Sequence, residues 1–149
     1  MRQPLSIIGL FCEDIRAELQ GTDTIVGILP DNINVPEFPF AFPKLALYIR
    51  ILFDAELGIQ PGDIVLRIPG IREDWPIAEI TETLIAQARE NHQTTGAPIA
   101  GIICRTTLAP FPVPEAGRLL VVARVDKQER ICGSLYIQKT PEANVAKVP

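Results

Sequence analysis

The chain has 149 residues, 47% hydrophobic and 21% charged, and its 14 Lys and Arg against 18 Asp and Glu leave a net charge of −4. That length and apolar content suit one domain with a two-layer core. The acidic balance excludes the electrostatics of nucleic-acid binding, which needs clustered Lys and Arg along a phosphate backbone; the densest basic run, Lys127 to Arg130, is diluted by Glu129.

The first residues have the layout of a short secretory signal, with Arg2 ahead of the apolar run Leu5 to Cys12. That run contains Gly9, leads straight into Glu13-Asp14 and carries no small-x-small cleavage site, so it reads as a β-strand and not as an export signal. The expected location is the cytoplasm. No other apolar stretch has the length to cross a bilayer. A second strand is expected over Thr24 to Leu29, after the turn signal Gln20-Gly21-Thr22-Asp23.

The third strand, Lys44 to Phe53, has the clearest alternation: Leu45, Leu47, Ile49, Ile51 and Phe53 face one way, and Lys44, Ala46, Tyr48, Arg50 and Leu52 the other. Successive strand side chains point to opposite faces, so one face of this strand is core. Ile64, Leu66 and Ile68 form a fourth strand after Pro61-Gly62-Asp63. From Ile77 to Asn91 the period changes: Ile77, Ile80, Leu84 and Ala88 recur at helical spacing. Asp74 is placed to cap that helix with Pro76 in its first turn, where a missing N–H costs little. The alternation Ala78, Ile80, Leu84, Ala86 also permits a strand there.

A fifth strand runs from Ile99 to Leu108, and the last third supplies a hairpin. Leu119, Val121, Ala123 and Val125 alternate with polar and apolar neighbours, Lys127 to Arg130 form the turn, and Ile131, Leu135 and Ile137 resume the alternation. Two proline-aromatic stretches, Pro36 to Pro43 and Pro110 to Pro114, precede the third and sixth strands. Proline fixes φ and lacks a ladder donor, so both are expected as extended crossings between sheets. The pattern predicts an all-β domain over residues 1–140 with a short surface tail over 141–149. The expected fold is a seven- to eight-stranded antiparallel β-sandwich, immunoglobulin-like, with one helix between strands four and five.

Residues that carry chemistry are scarce. Cys12, Cys104 and Cys132 sit among apolar neighbours and read as buried reduced thiols; no Cys-x-x-Cys pair offers a metal site. The lone histidine, His92, lies between Asn91 and Gln93 with no local nucleophile, and reads as a surface residue near a helix end. Glu13 and Asp14 are adjacent, so on a strand they diverge to opposite faces and suit an exposed strand end paired to Arg16 better than an acid–base pair. Asp31-Asn32-Ile33-Asn34 has the spacing of oxygen ligands, but lacks the central glycine and distal glutamate of a helix-loop-helix calcium site. A sandwich-end calcium site would need Asp54 and Asp63 to join Asp31. There is no phosphate loop and no nucleophile elbow.

Leu10-Phe11-Cys12-Glu13-Asp14-Ile15-Arg16, Ile25-Val26-Gly27-Ile28 and Pro112-Val113-Pro114-Glu115-Ala116-Gly117-Arg118-Leu119 resemble a family of uncharacterised small β-sandwich proteins of bacteria and their phages. The resemblance implies a compact sandwich, no assigned activity and no functional residues to carry over; a phage source would fit a minor capsid, decoration or tail component. From the residues themselves, the expectation is a non-catalytic structural or protein-interaction module without a cofactor. It would self-associate or join a larger assembly, using Phe38, Phe40, Phe42 and Phe111 on the crossings as partner contacts. Apolar residues on nominally outer faces (Ile8, Leu10, Leu120 and Val122) support that expectation. The alternative is a small-ligand or carbohydrate-binding module at the sandwich ends, for which Trp75, Tyr48 and Tyr136 are the aromatic platform candidates. An enzyme would need Glu13 to meet a group from a distant strand.

Overall fold

The computed structural model describes residues 5–142, so most of the expected 141–149 tail lies outside the described residues. Eleven strands and one helix follow in the order β1 (Ser6–Ala17), β2 (Asp23–Ile28), β3 (Asn32–Val35), β4 (Phe40–Phe42), β5 (Leu45–Asp54), β6 (Gly62–Arg67), β7 (Trp75–Ile80), α1 (Glu82–Thr95), β8 (Ile99–Leu108), β9 (Phe111–Val113), β10 (Gly117–Val125) and β11 (Gln128–Lys139). They make a four-stranded sheet in the order β2-β1-β5-β8 and a five-stranded sheet in the order β3-β11-β10-β6-β7, with a small β4-β9 pair beside them. All pairings are antiparallel except β3 with β11.

One hydrophobic core draws on both sheets. Leu45, Leu47, Ile49, Ile51 and Phe53 of β5 meet Ile64 and Leu66 of β6, Leu119, Val121, Ala123 and Val125 of β10, and Leu135 and Ile137 of β11 in a single buried cluster. The alternation in β5 and β10 foretells which residues these are, because period-two patterning assigns alternate side chains to one face. No charged or polar residue is buried among the described residues. The β10–β11 hairpin turns on Asp126 and Lys127, at φ 55° and 57°, the double left-handed geometry of a two-residue loop that matches strand twist. The turn is thus tighter than expected, and Gln128, Glu129 and Arg130 belong to β11.

The strand count of seven or eight is corrected to eleven. The four additions are β3, β4, β7 and β9, all short and lying in stretches read as turns, crossings or helix. The strand order also differs from the A-B-E-D and C-F-G sheets of an immunoglobulin domain. The helix starts later than expected: Trp75 to Ile80 pair with β6, and Thr81, not Asp74, caps α1 by accepting a hydrogen bond from the Leu84 amide. Pro76 sits in an edge strand, where the missing donor faces no neighbour. Gly96 closes the helix at φ 73°, four residues past the expected end at Asn91 to His92.

The helix joins the edge strand β7 of one sheet to the edge strand β8 of the other, and buries Ile85 and Ala88 in the core. The two proline-aromatic stretches do cross between sheets. Each contributes a three-residue strand, and they pair with each other, Phe40 opposite Val113 and Phe42 opposite Phe111.

Candidate interaction surface

Each sheet has one face turned away from the core, and the two outer faces differ. On the five-stranded sheet, Asp63 and Arg67 of β6, Arg124 of β10 and Glu129 of β11 form an ion-pair network. Arg124 donates to both Asp63 carboxylate oxygens at 2.6 and 2.7 Å, and Arg67 reaches Glu129 at 2.5 Å. Asp74 lies between the two guanidinium groups, 3.2 Å from Arg67 and 3.6 Å from Arg124. The hydrogen bond from Arg124 holds the Asp63 carboxyl below its ordinary value. On this face Val65 and Val122 are buried although they stand outside the core cluster. Val122 pairs with Val65 on one side and Ile131 on the other, one register step from the charged network. Long arginine stems cover apolar surface while keeping their heads in water.

The outer face of the four-stranded sheet is built by register alone. Ile8 of β1 pairs with Arg50 of β5, and Arg50 with Ile103 of β8. Leu10, Tyr48 and Arg105 form the adjacent row on one side; Ser6, Leu52 and Gly101 form the row on the other. Directly opposed side chains on one face stand about 5 Å apart, so these nine residues make one continuous patch. Ile8 is 54% exposed, Ile103 42%, and Ile28, further along the face, 58%. The patch contains no carboxylate. Of its two cations, Arg105 is paired with Asp23 at 2.7 Å, while Arg50 is exposed and makes no ion pair or side-chain hydrogen bond among the described residues.

The Arg105–Asp23 pair also reports on shape. In a flat sheet β2 and β8 are three strand spacings apart, about 14 Å, too far for these side chains to meet. The β1–β2 hairpin therefore curls back over the outer face. Cys12 and Ala46, which point to this face and lie outside the core cluster, are fully buried, and the curl accounts for it. At the other end the patch around Arg50 stays open.

The residues singled out in the sequence fall elsewhere. Phe111 has no accessible surface and packs against Phe42 and Trp75 at ring-centroid distances of 6.5 and 6.2 Å. It is a core residue and cannot serve as an exposed partner contact. Phe38, Phe40 and Phe42 are half-buried and packed against the core, Phe40 edge-on to Phe42 at 5.0 Å. Their ring edges join the crossings to the core because an aromatic side chain gains most where its large surface is covered. Val122 is buried and Leu120 and Leu10 are half-buried, so of the four outer-face residues named from sequence Ile8 alone is exposed.

Glu13 and Asp14 lie within β1, not at its end. Asp14 takes a hydrogen bond from Lys44 at 2.5 Å, which pulls its carboxyl below the ordinary value, and Arg16 stands 3.7 Å away. Glu13 lies instead against Gly27 of β2. Asp31, Asp54 and Asp63 do not converge: Asp54 accepts from the Glu56 and Leu57 amides and Asp63 is held by Arg124. Among the described residues no three His, Cys, Asp or Glu side chains are placed to hold a metal ion.

His92 lies in the last turn of α1, half-buried, with its Nδ1 lacking a hydrogen-bond partner. Burial raises all three thiols, Cys132 to about 11. Trp75 is 40% exposed on the edge strand β7. No described helix is long and apolar enough to cross a membrane.

Sequence reasoning missed Arg50 and Ile103. The alternation of β5 assigned Arg50 to the outer face, but the isoleucines beside it come from strands 42 and 53 residues away in the chain, and only register brings them there.

Residues 7–138 match the model of DUF6941, a family of unknown function. No curated protein and no solved structure matches the chain.

Proposed function

The chain belongs to that family of unknown function, and from that premise we propose that it is a non-catalytic protein-interaction module, a structural part of a larger assembly, with its two sheets forming a sandwich. The observation that carries this reading is the open apolar patch on the outer face of the four-stranded sheet, centred on Ile8, Arg50 and Ile103. An isoleucine pair on a flat, rigid, solvent-facing sheet gains free energy only when another surface covers it. The equivalent face of the other sheet carries a salt-bridge network over its valines, and this asymmetry singles out one face.

The proposal is tested by sedimenting native lysate of the source and probing each fraction for this chain. Co-migration with a large particle at fixed stoichiometry supports the module reading, and a virion is the particle named by the sequence resemblance. Recovery only at the mass of a monomer overturns it.

A second reading, a carbohydrate-binding module at the sandwich end, is favoured by one observation. Trp75 is 40% exposed and stands edge-on to the buried Phe111, a rigid backing for a stacking platform. A melting scan with a panel of neutral sugars tests it, because a ligand that binds only the folded state raises the midpoint. No shift with any sugar removes this reading.

A further inference from the structure

We infer that the patch around Arg50 takes an acidic, apolar segment of another protein, with a carboxylate of the partner bound to the Arg50 guanidinium; this rests on the interaction-module reading and adds the partner's chemistry. The inference starts from the company Arg50 keeps. Its neighbours along β5 are Tyr48 and Leu52, and its neighbours across the sheet are Ile8 and Ile103. None is acidic. Elsewhere on the outer faces the arginines are matched: Arg105 by Asp23, Arg67 by Asp74 and Glu129, Arg124 by Asp63.

An exposed guanidinium amid isoleucines does not need a partner while water covers it. Covering the isoleucines removes that water, and an unpaired charge then becomes costly. Any occupant that buries Ile8 and Ile103 must therefore bring an acceptor to Arg50. A carboxylate fits best, because the planar guanidinium fork matches it with two parallel hydrogen bonds. The groups flanking that carboxylate face Ile8, Leu52 and Ile103 and are apolar by the same argument. Arginine and large apolar residues are also the residue types that concentrate binding energy at interfaces.

Two other occupants fit less well. A second copy of this chain, docked about a two-fold axis, sets the patch against itself, and the patch offers no carboxylate to receive Arg50. A nucleic acid calls for several cations along a phosphate track, whereas this face has one unpaired cation among the described residues and the chain is acidic overall.

The test pans a random-peptide display library against the immobilised full-length protein, counter-selecting on the Arg50→Glu variant. Enriched peptides are then synthesised and their binding measured by fluorescence anisotropy. The expected consensus carries Asp or Glu between aliphatic or aromatic residues. Arg50→Glu weakens its binding about thirtyfold or more, Ile103→Ser weakens it too, and a peptide with Lys in place of the acid recovers binding to Arg50→Glu. Both substitutions are on the surface, and unchanged melting curves show that the variants fold. Enriched peptides without a carboxylate, or binding indifferent to Arg50→Glu, overturn the inference. Sedimentation velocity on the same preparations separates the remaining outcomes. A dimer abolished by Ile8→Ser overturns the acidic partner but keeps the interaction module; a monomer for which no peptide is enriched on this face overturns both.

Discussion

Gly133 of β11 faces the backbone of Gly9 of β1 across the gap between the two sheets, so closely that a Cβ on Gly133 would stand 2.8 Å from the Gly9 carbonyl oxygen. The contact is asymmetric. A Cβ on Gly9 would meet Cys132 and Val121 at 3.6 Å, an ordinary van der Waals distance. Gly133 follows Cys132, the extra residue of a bulge opposite Val121 and Val122. A bulge bends its strand and sharpens the local twist, and here it carries β11 toward β1.

Replacing Gly133 by alanine is expected to destabilise the fold by about 1–3 kcal/mol, the usual cost of forcing an extra group into a packed site. Gly9→Ala is expected to be neutral or slightly stabilising, since it restrains the unfolded chain and meets no clash. Urea unfolding of both variants checks this. Equal losses at the two positions would show that the sheets adjust freely here.

Phe111→Ala is expected to cost about 3–5 kcal/mol, as for other fully buried aromatic residues. Phe42→Ala, on the half-buried partner of Phe111, is expected to cost less. Their order in thermal or urea melts distinguishes a core plug from a surface anchor. If Phe111→Ala left stability intact and reduced association instead, its role as a core residue would be wrong.

Asp63 supplies the pH dependence. Its carboxyl sits below the ordinary value of 3.8 because Arg124 donates to it. A group with a depressed folded pKa stabilises the native state above its unfolded value, and that contribution is lost as pH falls through the folded value. Wild type should therefore lose stability between about pH 5 and the acid side of the depressed value, and Asp63→Asn should lose less over that window. The pair is near the surface, so the Asp63 contribution stays under about 1 kcal/mol and shrinks in high salt. Urea midpoints of both proteins from pH 6 to 3, at low and high salt, measure it; identical slopes would refute the assignment.

The thiols make a kinetic prediction. With its pKa pushed up to about 11 by burial, Cys132 is only about 0.1% thiolate at pH 8, and thiolate is the reactive form. Cys12 is fully buried, donating to the Ala46 carbonyl at 3.7 Å, and Cys104 is also raised by desolvation. An aromatic disulfide reagent at pH 8 should modify the native protein slowly and all three thiols at once in denaturant. Rapid native labelling of Cys132 would mean that the bulge opens easily.

The sequence by itself determined the parts of this protein that depend on local period. β5, β8 and the β10–β11 hairpin are legible because alternate residues of a strand share one face, so the core residues Leu45 to Phe53 and Leu119 to Val125 follow from the pattern. The two proline-aromatic crossings are legible too, because proline cannot donate to a central ladder.

The short strands were not legible. β3, β4 and β9 span four, three and three residues, too few to show a period, and they are strands only because a partner lies beside them. β7 carries both a helical and an alternating pattern, and pairing with β6 decided between them. The candidate site was decided wholly by tertiary structure. Register placed Ile8 and Ile103 on either side of Arg50, and the ion-pair network fell on the opposite sheet. Neither fact is local: a side chain's face is written in its own strand, but its neighbours on that face are written in strands distant along the chain.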